Sequence, residues 1–109
     1  MKIFMKSNRG DGYEAYGEYD NGKVVVKKGS RIRLSYADNF HRARQVVNYR
    51  DDPTCVDTNG IVLKNCRFNS SSTAAQFVSG QSTDGYIAWH LDEKTRLGDW
   101  IKQGKEKAD

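Results

Sequence analysis

The segment Phe68 to Trp89, FNSSSTAAQFVSGQSTDGYIAW, carries the densest pattern in the chain. Short polar side chains at Asn69 to Ser72 open a helix, because a side-chain oxygen at the N-cap accepts a bond from an otherwise orphaned helical N–H. Ser70 is the expected cap. Ala74, Phe77 and Val78 then share one face at the i, i+3, i+4 spacing of a buried stripe. Gly80, just past the last periodic residue, suits the left-handed conformation that closes a helix. Asp84-Gly85 reads as a turn, and Tyr86 to Leu91 as a strand with Ile87, Trp89 and Leu91 on its apolar side.

The N-terminal half alternates. Lys2 to Lys6 forms a first strand with Ile3 and Met5 on one side. Arg9-Gly10-Asp11-Gly12 turns the chain, and Tyr13 to Tyr19 forms a second strand with Tyr13, Ala15, Gly17 and Tyr19 together. Asn21-Gly22 supplies the positive φ values that a tight hairpin needs. Val24 and Val26 then point inward on a third strand, Lys23 to Lys28. After Gly29-Ser30 the alternation resumes, with Ile32 and Leu34 inward and Arg31 and Arg33 outward.

Asp38 or Asn39 caps a helix over residues 39–49 whose stripe is Phe40, Ala43, Val46 and Val47, with Arg42, Gln45 and Tyr49 opposite. Asp51-Asp52-Pro53 ends it, and Cys55 and Val56 anchor the polar connection that follows. Ile61 to Leu63 and Cys66 to Phe68 are short strand candidates. Leu97, Trp100 and Ile101 mark a closing helix. The expected fold is therefore α+β: a mainly antiparallel sheet of about five strands, the 39–49 and 71–79 helices on one face, and a short C-terminal helix. Residues 1–103 form a single domain, and 104–109 a charged, frayed tail.

At 109 residues and 37% hydrophobic the chain suits one modest core. No apolar run approaches the roughly 20 residues of a membrane span, so a cytoplasmic protein without membrane association is expected. The charge is uneven. From Lys23 to Arg50 eight basic residues face Asp38 alone, so this stretch carries +7 and the rest −3 of a total of +4. Lys27, Arg31, Arg33, Arg42 and Arg44 are the candidate phosphate-binding surface, since a basic face attracts nucleic acid without sequence preference. A solvated basic face is the plainer alternative. The helix start at Ser70, Ser71, Ser72 and Thr73 is a weaker anion-binding candidate, which capping alone explains well. The six tyrosines offer bases a stacking surface, though packing within a small domain is the expected use of most of them.

The residues Phe68, Ser70, Ser72, Ala74 and Ala75, then Gly80, Ser82, Gly85 and Trp89, carry a signature, joined by Gly29-Ser30 upstream and Leu97 to Trp100 downstream. With it the chain resembles a small domain of unknown function often found at the C-terminus of GIY-YIG nuclease-like and other restriction-associated or DNA-processing proteins. It departs at Ser71, where that family usually has proline, and at Asp84, where it usually has asparagine. The resemblance implies an association with DNA-related proteins and no established activity.

Catalysis is not expected. Gly85-Tyr86-Ile87 only rearranges a nuclease tripeptide, and Asp92-x-Lys94 lacks the partnering Pro-Asp of a metal-dependent nuclease motif. His41, Cys55, Cys66 and His90 lack the paired short spacing of a zinc site, so no metal or cofactor is expected and the cysteines are taken as free thiols. The leading reading is a non-catalytic accessory module with nucleic acid as ligand. The rivals are a module that recruits a separate DNA-processing protein and, behind it, an unrecognised enzyme. The oligomeric state is open.

Overall fold

The hairpin that Asn21-Gly22 predicts organises the observed sheet. In the structure, a computed structural model that describes residues 1–7, 12–37 and 43–104, Asn21 and Gly22 both take positive φ, 49° and 86°. They join strand β2 (Glu14–Asp20) to β3 (Lys23–Val26) with Asp20 opposite Lys23. Strand β1 (Lys2–Lys6) lies antiparallel to β2, with Ile3 opposite Gly17 and Met5 opposite Ala15. These small partners leave room for the larger side chains, and all four residues are buried. The 9–11 turn, the Asp38/Asn39 cap, Phe40, Arg42 and the 105–109 tail lie outside the described residues.

The sheet has six strands rather than five, in the order β4-β3-β2-β1-β5-β6. Strand β4 is Cys66–Phe68, β5 His90–Asp92 and β6 Thr95–Arg96. Ile61 to Leu63 is not one of them: it makes only isolated bridges, Ile61 to Arg31 and Val62 to Val56. The helices are α1 (Arg44–Arg50), α2 (Ser71–Ser79), α3 (Gly85–Ala88) and α4 (Leu97–Lys102).

Helix α2 begins and ends where its sequence directs. Ser70 Oγ accepts the Thr73 N–H at 3.1 Å, and Gly80 closes the helix at φ 71°. Ala74, Phe77 and Val78 are fully buried. Phe77 packs on Phe68 of β4 with ring centroids 5.0 Å apart.

Three further expectations need correction. Tyr86 to Leu91 is not one strand, because the Asp84 side chain accepts the Tyr86 N–H at 2.9 Å and caps a turn of helix, α3, before β5 begins. Helical geometry leaves Tyr86 and Ile87 exposed and carries Trp89 into the core. Leu34 is exposed and Arg33 half-buried, the reverse of the predicted phase. Past Ile32 the chain leaves the sheet and follows the end of α2, with Arg33 N donating to Val78 O at 2.9 Å and Ala37 N to Gly80 O at 2.8 Å. Strand alternation has no force there. Tyr49, finally, lies on the packed side of α1: its ring sits 5.2 Å from Phe68 and its hydroxyl accepts the Arg67 N–H at 3.1 Å. Gln45 Nε2 donates to Arg67 O at 3.1 Å, so two α1 side chains cover the open edge of β4.

Trp89 is the largest fully buried side chain, and its indole N–H donates to Ser71 O at 3.1 Å. Replacing it with alanine should destabilise the domain by about 3 to 5 kcal/mol through lost burial and a residual cavity. Gly85→Ala should cost about 1 to 3 kcal/mol or more, because a methyl group there would lie 2.2 Å from the Ser71 carbonyl carbon, backbone that cannot rotate aside. Urea unfolding of both variants measures the costs; an unperturbed midpoint for Trp89→Ala would show that the indole is not a core residue.

Candidate nucleic-acid interface

The segment from Gly29 to Ser35 is held on both sides by backbone, which fixes where its two arginines emerge. Arg31 and Glu14 exchange N–H to carbonyl bonds at 2.9 Å in both directions, while Val62 N donates to Ser30 O and Ile32 N to Gly60 O, each at 2.8 Å. The facing loop is fixed by Asp57, whose carboxylate accepts the N–H groups of Asn59 at 2.8 Å and Ile61 at 2.9 Å. Between these segments lies a cleft of about 230 Å³ lined by Gly12, Ile32, Leu34 and the polar side chains of Arg31, Arg33, Ser35 and Asn59. No carboxylate among the described residues lines it. Arg31 is exposed and Arg33 half-buried.

A second half-buried cation, Arg50, is coupled to Arg33. The Arg50 Nε donates to Phe77 O at 2.9 Å, and its guanidinium lies 4.8 Å from the centre of the Tyr36 ring. Burial lowers Arg50 to about 10, with Arg33 adding to the effect against the opposing pull of Tyr36, so it is a cation at neutral pH. Its bond to the carbonyl of a core residue makes Arg50 a clasp between α1 and α2.

The remaining candidates are dispersed. Arg44 lines a different, larger cleft of about 590 Å³ at the β4 edge, together with Gln45, Asn48, Asp52, Lys64 and Asn69. Lys27 lies beside Tyr16, Lys2 and Glu18 on the opposite side of the sheet from the helices. Arg42 is outside the described residues. Lys64 was missed in the sequence because it falls after the strongly basic stretch, in what reads as a spacer. Only folding brings it into the same cleft as Arg44.

At the start of α2 the polar groups are engaged within the fold. Ser70 Oγ accepts from Thr73 N at 3.1 Å and donates to Thr73 Oγ1 at 2.9 Å. Ser72 Oγ accepts the Gly85 N–H at 2.9 Å, and Ser71 is buried. The Ser72 bond joins α2 to α3.

Cys55 and Cys66 are both free thiols and both buried. Cys55 Sγ donates to Asp52 Oδ2 at 3.4 Å and Cys66 Sγ to Lys64 O at 3.3 Å. Burial, reinforced by the neighbouring Cys55, pushes the Cys66 thiol up to about 12. A thiolate is the nucleophile, so this thiol is inert near neutrality. Asp92 and Lys94 form a turn, Lys94 N donating to Asp92 Oδ1 at 2.8 Å; that bond and one from Thr95 hold the Asp92 carboxyl below its usual range. No group of three or more metal-ligating side chains occurs among the described residues. Nor is any helix there long and apolar enough to cross a membrane.

The architecture is that of an α+β domain with helices on one face of an antiparallel sheet and basic clefts at its margins. The match of the family model for a domain of unknown function, DUF4357, to residues 4–101 is decisive for kinship. The chain belongs to that family. No curated protein and no solved structure matches it.

The thiol chemistry has a direct readout. At pH 8 the Cys66 thiol, pushed up to about 12 by burial, stays protonated. Iodoacetamide should therefore leave the native protein unlabelled at Cys66 and add two carbamidomethyl groups after denaturation, as mass spectrometry would record; rapid native labelling at Cys66 would contradict the burial and bonding described.

Proposed function

We propose that this domain is a non-catalytic accessory module that holds nucleic acid weakly, through phosphate contacts and without sequence preference. The observation that carries the reading is the cleft shared by Arg31 and Arg33 with Ser35 and Asn59. Arg31, Arg33, Ser35 and Asn59 line one space of about 230 Å³, and guanidinium is the side chain whose fork geometry suits phosphate oxygens. Arg44 with Lys64, Lys27 and, from the sequence, Arg42 extend the contact along a strand. The resemblance to domains appended to GIY-YIG nuclease-like and restriction-associated proteins supports a role beside a DNA-processing enzyme.

A second reading is recruitment of such an enzyme by direct protein contact. It is favoured by Tyr86 and Ile87, adjacent on α3 and 48% and 54% exposed. Large apolar side chains side by side on a surface suit a protein interface.

Labelled duplex and single strands, titrated across a salt series and followed by anisotropy, test the phosphate reading. Affinity should fall steeply with salt, with a log-log slope of about −0.9 per phosphate neutralised on duplex. The double variant Arg31→Gln, Arg33→Gln should flatten that slope by about 0.9 for every phosphate it no longer neutralises. Absence of binding at low salt, or an unchanged slope in the variant, would sink the reading and leave recruitment. For the non-catalytic part, DNA and RNA incubated with magnesium, manganese or zinc should stay intact; cleavage that disappears in Asp92→Ala would make the domain an enzyme.

A further inference from the structure

The four described helices leave one sheet face without a covering layer, and the side chains on it form ordered rows. Ile3, Met5, Ala15 and Gly17 point to the core, so by alternation Phe4 and Tyr16 point the other way. They are opposite each other in register, and Phe4 is in turn opposite His90, which is opposite Arg96. Lys27 closes the row at its other end, its N–H donating to Tyr16 O at 2.8 Å. The Phe4 and His90 rings lie 5.9 Å apart and are inclined by 32°. Tyr16 is 49% exposed. The row thus reads cation, aromatic, aromatic, imidazole, cation across neighbouring strands about 4.8 Å apart.

The adjoining row runs Lys2, Glu18, Val25, Arg67. Together the two rows hold four cations, Lys27, Arg96, Lys2 and Arg67, against the one carboxylate of Glu18. On the next row Lys6 and Glu14 are 3.9 Å apart and neutralise each other. Glu14 also accepts the Tyr16 hydroxyl, which pins the ring along the strand and, as the largest influence, holds the Glu14 carboxyl below its usual range. Beside Tyr16 is a groove of about 290 Å³ walled by Lys2, Glu18 and Lys27 and floored by Ile3 and Gly17.

We infer that this open face is a stacking platform for single-stranded nucleic acid, in which Tyr16, Phe4 and His90 receive bases and Lys27, Arg96 and Lys2 receive phosphates. Aromatic rows on sheet faces bind single strands because every base has a π-face, whereas in a duplex those faces are already stacked on one another. A protein partner fits less well, because lysine is depleted in protein interfaces. The inference rests on the nucleic-acid reading above, shares only Lys27 with it, is centred on the aromatic row and not on the Arg31 and Arg33 cleft, and adds strand selectivity.

The experiment compares a fluorescein-labelled 12-nucleotide oligothymidylate with a labelled 12-base-pair duplex, at low salt, on the full chain. Tyr16→Ala should weaken single-strand binding by roughly 5- to 150-fold, the span of one lost base stack. Duplex affinity should be unchanged, and Tyr16→Trp should restore the single strand. Tyr16→Phe, which removes only the hydroxyl bonded to Glu14, should bind as wild type does, and thermal melts of all three variants check folding. A Tyr16→Ala variant that is folded and binds the single strand normally would overturn the platform while leaving the Arg31 and Arg33 cleft intact as a phosphate site. Equal loss of single strand and duplex would also overturn it, since stacking cannot act on both. A wild type that binds neither nucleic acid would overturn this inference and the phosphate reading together and point to a protein occupant.

Discussion

The carbonyl of Ser71 is the point on which the two halves of the molecule are joined. It opens α2, accepts the buried indole N–H of Trp89 at 3.1 Å, and lies against the bare backbone of Gly85. Trp89 in turn accepts the Leu97 N–H through its own carbonyl at 2.9 Å, which fixes the start of α4. A buried indole N–H left without an acceptor would cost about 1 to 3 kcal/mol, so the bond makes this docking geometry specific as well as favourable. With α3 fixed to α2, strand β5 is delivered to the free edge of β1, where Phe4 meets His90.

That arrangement decides which surfaces are free. Helices α1 and α2 cover the β3 and β4 end of the sheet, and α3 and α4 lie towards the β6 end. At one edge Gln45 and Tyr49 occupy the backbone groups of Arg67, and at the other β6 is only two residues long. Both devices discourage pairing with another sheet. The described helices leave the face opposite them unlayered, and apart from Val25 the side chains in its rows are long, charged or aromatic.

Most of the architecture was legible because it is set by local rules. The hairpin at Asn21-Gly22, the Ser70 and Gly80 caps and the alternation of β1 to β3 each depend on residues within one element. The misread segments depend on packing between elements. The four residues of α3 are too few for periodicity to separate helix from strand, and the Asp84 cap together with the approach of Gly85 to Ser71 decides between them. Tyr49 reads as polar-face by spacing but is drawn in by the β4 edge and the Phe68 ring. Arg33 and Leu34 exchange exposure because their backbone bonds to α2 and not to a strand. Of the candidate basic residues, Arg31 and Arg33 line one cleft, although the alternation that grouped them does not hold for Arg33. Lys64 beside Arg44, and the row of Phe4, Tyr16 and His90, arise only from pairing of segments distant in the chain, which no single-segment pattern contains.

The same distinction governs the charge. The +7 of residues 23–50 suggests one strong patch, yet folding assigns Arg31 and Arg33, Arg44, and Lys27 to three clefts with no lining residue in common. The body measures 41 × 25 × 25 Å, while charges in physiological salt are screened over about 8 Å. Clefts further apart than that would act on a small anion almost independently, so the sum of their charges would have little meaning for it. A polyanion differs in kind. It is long enough to reach more than one cleft, and each attachment after the first is made at the high effective concentration set by the one already formed. A flexible single strand can follow such a dispersed set around the domain margins, whereas a stiff duplex reaches only the sites that share a side. On the nucleic-acid reading proposed above, such scattering of the basic residues would favour a flexible polyelectrolyte over a compact anion.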